Sequence, residues 1–202
     1  SDVALYKAKR SGRGQVGIFD RTDIEDMRRT KSLADEIMRA LEASEFLPHY
    51  QPQVDALTGE VVGVEALARW AHPDGTIRGP DAFLSVASDL NIVADIDRMI
   101  FDKAIAECQT TLGGLPKPPS LSFNVSARRV HFEEIAENGQ LANSYAGDVA
   151  FELLETILLE EESEAFIMQL DPLRDMGISL EVDDSGSELP SIGALKRNAP
   201  AH

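Results

Sequence analysis

Glu60-Val61-Val62-Gly63-Val64-Glu65-Ala66-Leu67-Ala68-Arg69-Trp70 is the stretch on which the reading of this chain turns. A run so rich in valine and small apolar residues predicts a strand. Within it stands a carboxylate, Glu65, followed four residues later by Arg69. A buried strand does not keep an ion without a partner, because desolvating it costs several kcal/mol. Glu65 is therefore a candidate for chemistry, the more so if other strands carry polar groups in the same way.

Phe46 to Val54 precedes it as a second strand, with a turn at Leu57-Thr58-Gly59 between them. Downstream the pattern alternates. Pro80 to Leu90 and Val93 to Leu112 predict helices joined at Asn91, and Ser120 to Val125 a strand. A helix near Arg128 to Glu137, a strand Val149 to Leu154, a helix Ser163 to Met176, a strand Ile178 to Val182 and a last helix Pro190 to Arg197 follow. Repeated β-α units with apolar strands predict an α/β fold on a parallel sheet, closed or doubly wound. Upstream, Thr22 to Ala43 has Ile24, Met27, Leu33, Ile37, Met38 and Leu41 mostly at helical spacing, which predicts an amphipathic connector helix. Residues 2 to 10 and Gln15 to Phe19 predict a short helix and strand, too small to bury a core of their own.

The other strand ends repeat what Glu65 announces. One strand carries Asn124 in Ser-Phe-Asn-Val-Ser, another Glu152 in Phe-Glu-Leu-Leu-Glu-Thr, and the last ends on Asp183-Asp184. In a barrel of parallel strands such positions converge on one pocket. These donors are hard oxygens with no His or Cys beside them, which suits Mg²⁺ or Mn²⁺ rather than zinc. Two adjacent aspartates repel unless cations lie close by, so Asp183-Asp184 suits a site with two metal ions. Each carboxylate taken alone could instead pair with an Arg or cap a helix. That reading fails for the set, because after residue 39 only 10 bases face 28 acids.

The 202 residues, 43% apolar and 27% charged, suffice for one domain with a core. The charge of −16 divides unevenly, at +2 for residues 1 to 39 and −18 for the remainder. Such a body repels polymeric nucleic acid, which is held by phosphate neutralisation. No window approaches the ~18 apolar residues of a membrane helix, and the start lacks signal-peptide order, so the expectation is a cytoplasmic chain without membrane contact of its own. Any tether to the inner membrane would come from elsewhere. Cys108, the single cysteine, excludes an internal disulfide and reads as a small buried hydrophobe.

Tyr50-Gln51-Pro52, Glu65-Ala66-Leu67-Ala68-Arg69-Trp70-Ala71-His72-Pro73, Phe123-Asn124-Val125-Ser126, Glu152-Leu153-Leu154-Glu155 and Asp183-Asp184 resemble, in order and spacing, the EAL-domain phosphodiesterases that hydrolyse cyclic di-GMP. The resemblance implies a TIM-like (β/α) barrel, with about five of eight strands inside this chain. Residues 46 to 202 would be the EAL domain and 21 to 45 its connector helix. Residues 1 to 20, with Ala4-Leu5-Tyr6, Lys7-Ala8-Lys9 and Gly12-Arg13, look like the C-terminal tail of a GGDEF diguanylate cyclase domain, the usual neighbour in tandem.

The resemblance also implies roles. Glu65, Asn124, Glu152 and Asp183 would hold a first metal ion and Asp184 would help hold a second, with Glu65 and Asp184 as catalytic carboxylates. Gln51, Leu67 and Arg69 would contact the dinucleotide, Arg69 at a phosphate, and Glu155 would brace the loop after Asp184. A homodimer is implied as well. His72, beside Pro73 in a turn, reads as structural. The family's water-activating lysine would fall beyond His202, since Lys196 comes too early. After the paired aspartates the family runs Phe-Gly-Thr-Gly, and here Ser185-Gly186-Ser187-Glu188 stands instead. That departure supports a second reading, a degenerate EAL domain that binds cyclic di-GMP or docks a protein without cutting. The retained ligand positions favour the enzyme. A purely structural scaffold leaves the strand-end carboxylates unexplained.

Overall fold

In the computed structural model the described residues are 21–126, 139, 141–154 and 164–183. The expected helices at 128–137 and 190–197, the tail at 1–20, and the residues Glu155, Asp184, Ser185, Glu188 and Lys196 lie outside them.

The backbone alternates as expected. Helix α1 is Arg21–Glu42, β1 Phe46–Val54, β2 Val61–Ala71 and β3 Ile77–Arg78; a 3-10 turn at Pro80–Ala82 leads into α2, Leu84–Asp89, and α3, Val93–Thr111. Then come β4 Ser120–Val125, β5 Val149–Leu154, α4 Glu164–Asp175 and β6 Ile178–Asp183. The sheet order is β1-β2-β4-β5-β6, with β3 beside β2. From β2 to β6 the pairs are parallel. Between β1 and β2, which the sequence separates by a turn alone, the pair is antiparallel. The cause is the short connection at Asp55 to Glu60, since a parallel crossover needs a dozen or more residues.

That connection is a built turn. Asp55 Oδ1 accepts the Leu57 and Thr58 N–H groups at 2.9 and 2.8 Å, and Gly59 has φ +71, a left-handed value that a side chain would strain. Asn91, at φ +60, makes the corner between α2 and α3. The two-residue β3 was not legible in the sequence; it returns antiparallel on Trp70 and Ala71 through a turn closed by His72 N–H donating to Thr76 O at 2.9 Å.

Alternation along the parallel strands separates two faces. Leu121, Phe123, Val125, Val149, Phe151 and Leu153 are all buried, on the face covered by α3. Phe101 of α3 meets Phe123 at 4.8 Å and Phe151 at 5.5 Å between ring centroids, both edge-on, a favoured aromatic geometry. A second aromatic group, Phe46, Trp70 and Phe83, joins β1, β2 and the start of α2. Helix α1 reaches this core only through its second half. Ile37 and Ala40 are buried and Leu33 and Leu41 half-buried, whereas Ile24, Met27 and Met38 of the expected apolar stripe stay exposed.

Candidate metal and phosphate site

Strand register sets the site. Glu65 is level with Gln51 on one side and Ser122 on the other. Asn124, two residues beyond Ser122 on the same face, is level with Glu152, and Glu152 with Glu181. Asp183 is level with Leu154, one step further along β6. All of these register positions fall on the sheet face opposite Phe123 and Phe151. Neighbouring strands lie about 4.8 Å apart, so Glu65, Asn124 and Glu152 occupy three successive strands within about 10 Å.

Asn124 Nδ2 donates to Glu65 Oε1 at 2.7 Å. The bond ties β4 to β2 diagonally through one of the amide's two N–H groups, which leaves its Oδ1 available to a cation. Glu65 and Glu152 are half-buried and Asn124 is exposed. Among the described residues no three His, Cys, Asp or Glu side chains gather as a metal-holding group. The oxygens here are two carboxylates and one amide, which by chemistry fit a hard divalent cation and not zinc.

Arg69 lies on the same face of β2, four residues beyond Glu65, and is half-buried. Its Nη1 donates to the Ala68 carbonyl at 2.8 Å, and among the described residues no carboxylate forms an ion pair with it. Its fork keeps donors to offer a phosphate. Leu67 stands between Glu65 and Arg69, while Gln51 is exposed on β1. Gln53, further along that strand, donates from Nε2 to Ser122 Oγ at 3.2 Å, giving the floor of this face a polar contact.

His72 has the structural surroundings expected of it. Its Nδ1 is 2.9 Å from Asp74 Oδ2 and its Nε2 3.5 Å from Glu36 Oε2 on α1, while Arg78 Nη2 donates to Asp74 Oδ2 at 2.9 Å. Hydrogen bonds from the Thr76 hydroxyl and N–H hold the Asp74 carboxyl well below the ordinary range, with smaller help from His72 and Arg78. On the opposite face of β1, Tyr50 donates to Glu107 Oε2 at 2.6 Å; burial, chiefly, and that bond push the phenol's pKa up.

Sequence reasoning missed Glu181, Gln53 and Ser122. Glu181 was detectable, since a residue two before Asp183 shares its face. A cavity of about 170 Å³ lined by Ala142, Tyr145, Asp148, Met176 and Ile178 lies at the beginnings of β5 and β6, the end of the sheet away from Asn124 and Arg69.

A largely parallel α/β sheet thus carries oxygen donors on consecutive strands with an arginine beside them, a set whose chemistry fits a hard cation and a phosphate. The chain belongs to the EAL domain family, which matches residues 34–201. It is 28% identical over 201 residues to the bifunctional diguanylate cyclase/cyclic di-GMP phosphodiesterase MucR of Pseudomonas aeruginosa, covering 98% of this chain and 29% of MucR. It is 33% identical over 168 residues to the cyclic di-GMP phosphodiesterase RocR of the same organism, covering 81% of this chain and 42% of RocR. Among solved structures, the MucR phosphodiesterase in complex with c-di-GMP superposes with a TM-score of 0.69 at 27% identity, covering 79% of this chain and 66% of that one. The chain thus spans less than half the length of these two relatives.

Proposed function

We propose that the protein hydrolyses cyclic di-GMP to the linear dinucleotide in bacterial second-messenger signalling. The observation that carries this reading is the bond between Asn124 and Glu65, on a face that also presents Glu152 and Arg69, in a chain of the EAL family. Glu65, Asn124, Glu152 and Asp183 would hold one Mg²⁺ or Mn²⁺ and Asp184 would help hold another. Bound there, such ions make water a nucleophile near neutral pH and screen the phosphodiester. The chain's own part is to hold and orient. Arg69 fixes a phosphate oxygen, Leu67 and Gln51 border the dinucleotide, and Glu155 braces the loop after Asp184. A homodimer and a cytoplasmic setting belong to the same reading. So does a GGDEF tail at residues 1–20, which finds support in the alignment with MucR extending over 98% of the chain.

The test incubates the full-length protein with cyclic di-GMP and Mg²⁺ or Mn²⁺ and follows the linear product by chromatography. Release of linear dinucleotide supports the enzyme. Tight binding without product favours the second reading, a degenerate module, to which Ser185 and Glu188 point.

A further inference from the structure

Glu45 sits between α1 and β1 and belongs to no motif quoted above. Its carboxylate Oε2 accepts the Trp70 indole N–H at 3.0 Å, and its main-chain carbonyl accepts the Ala71 N–H at 2.9 Å. Both bonds fall on the residues that directly follow Arg69. Trp70 is 1% exposed, with Phe83 and His72 edge-on to its ring and the Arg78 guanidinium 5.0 Å above it. One residue therefore holds both the side chain and the backbone at the end of β2.

We propose that Glu45 is a positioning residue for Arg69, acting through Trp70, and that it sets the affinity of the site for the substrate's phosphate. The inference rests on the reading of Arg69 as the phosphate contact. Loss of the bond from either side unpins the ring from Glu45, and an indole N–H left buried without its acceptor adds a desolvation penalty that moving the ring relieves. The ring moves with the backbone next to Arg69, and a guanidinium contact with phosphate depends on its angle. Glu36 of α1 adds a second hold, 3.5 Å from His72 Nε2 and 3.9 Å from Arg78 Nη1. Because Glu45 lies only three residues past the end of α1, a displacement of α1 would change substrate affinity before it changes the chemical step.

Steady-state kinetics of the full-length protein with cyclic di-GMP test this. Glu45→Ala is expected to raise KM about three- to tenfold, the worth of one hydrogen bond, with kcat held within about twofold. Glu45→Gln, which keeps an acceptor oxygen, is expected to restore KM to near the wild-type value. Trp70→Phe keeps a packed ring but loses the N–H, so it is expected to reproduce the rise, and adding it to Glu45→Ala should raise KM no further. Should Glu45→Ala not fold, Trp70→Phe carries the test alone. Unchanged KM in the variants, or loss of kcat at constant KM, overturns the positioning role while leaving the proposed reaction intact. A wild-type protein that neither binds nor cuts the dinucleotide overturns the reaction, and the positioning role with it.

Discussion

Asn124 Nδ2 donates to Glu65 Oε1 at 2.7 Å, bonding the two candidate ligands to each other across adjacent parallel strands. The bond restrains both side chains before any cation arrives, so ordering them adds little to the cost of binding. Asn124→Ala removes a ligand and also releases Glu65. The Mn²⁺ concentration for half-maximal activity is expected to rise on the order of 10–100-fold, read from a metal titration at fixed substrate.

Arg69→Ala should separate substrate binding from metal binding. On the proposed reading it removes the guanidinium that meets the substrate's phosphate while leaving Glu65, Asn124 and Glu152 in place. KM for cyclic di-GMP is expected to rise about 10–100-fold, the worth of a charge-assisted hydrogen bond of ~1.5–3 kcal/mol. The half-saturating metal concentration should stay where it was.

Removing the metal should silence the protein. Glu65, Glu152 and Glu181 stand on one sheet face, and a substrate carrying two phosphates meets their negative field until divalent ions reverse it. EDTA is expected to abolish product formation and excess Mg²⁺ or Mn²⁺ to restore it. Glu65→Ala should remain inactive under all three conditions; wild-type turnover in that variant would remove Glu65 from the site.

Asp74 links stability to acid pH. Its carboxyl is held below the ordinary value by the Thr76 bonds, so the folded state binds the proton less readily than the unfolded chain. The stabilisation is fully present above the unfolded Asp value of ~3.9 and is lost as pH falls from there toward the lower folded value. Melting temperatures of wild type and Asp74→Asn should therefore differ most at neutral pH, and the gap should close on acidification.

Cys108 should behave as a hydrocarbon. It is 3% exposed, and burial raises its thiol pKa, so thiolate is scarce as well as hidden. Labelling by a thiol reagent at mildly alkaline pH is expected to be slow in the folded protein and rapid in denaturant, with mass spectrometry following the adduct.

Glu65, Asn124 and Glu152 could be read in the sequence because polar groups inside apolar strands have few physical justifications, and a period of two tells which ones share a face. Glu181 obeys the same period but is overshadowed by the pair of aspartates after it. The antiparallel step from β1 to β2 follows from the Leu57-Thr58-Gly59 turn, and the rhythm of β-α units beyond it gives the parallel pairs. Two residues, Ile77 and Arg78, are too few for any period to register. In α1 the periodicity marks an apolar stripe without telling how far the helix lies over the core, so Ile24 and Ile37 look alike in sequence and differ in burial. Glu45 carries no motif at all, and its importance arises only when the fold brings it to Trp70.

The hairpin tip offers a point of attachment. Leu57 is 96% exposed, and the turn that holds it is closed by Asp55 with local bonds only. Glu65 lies roughly 25 Å along the strand from that tip at most, since each residue advances about 3.3 Å. Exposed loop tips of this kind accept inserted sequence with small energetic consequence. A fluorescent protein or affinity tag spliced between Leu57 and Thr58 would therefore report on the molecule from the far end of β2, with the carboxylate face left open to its ligand.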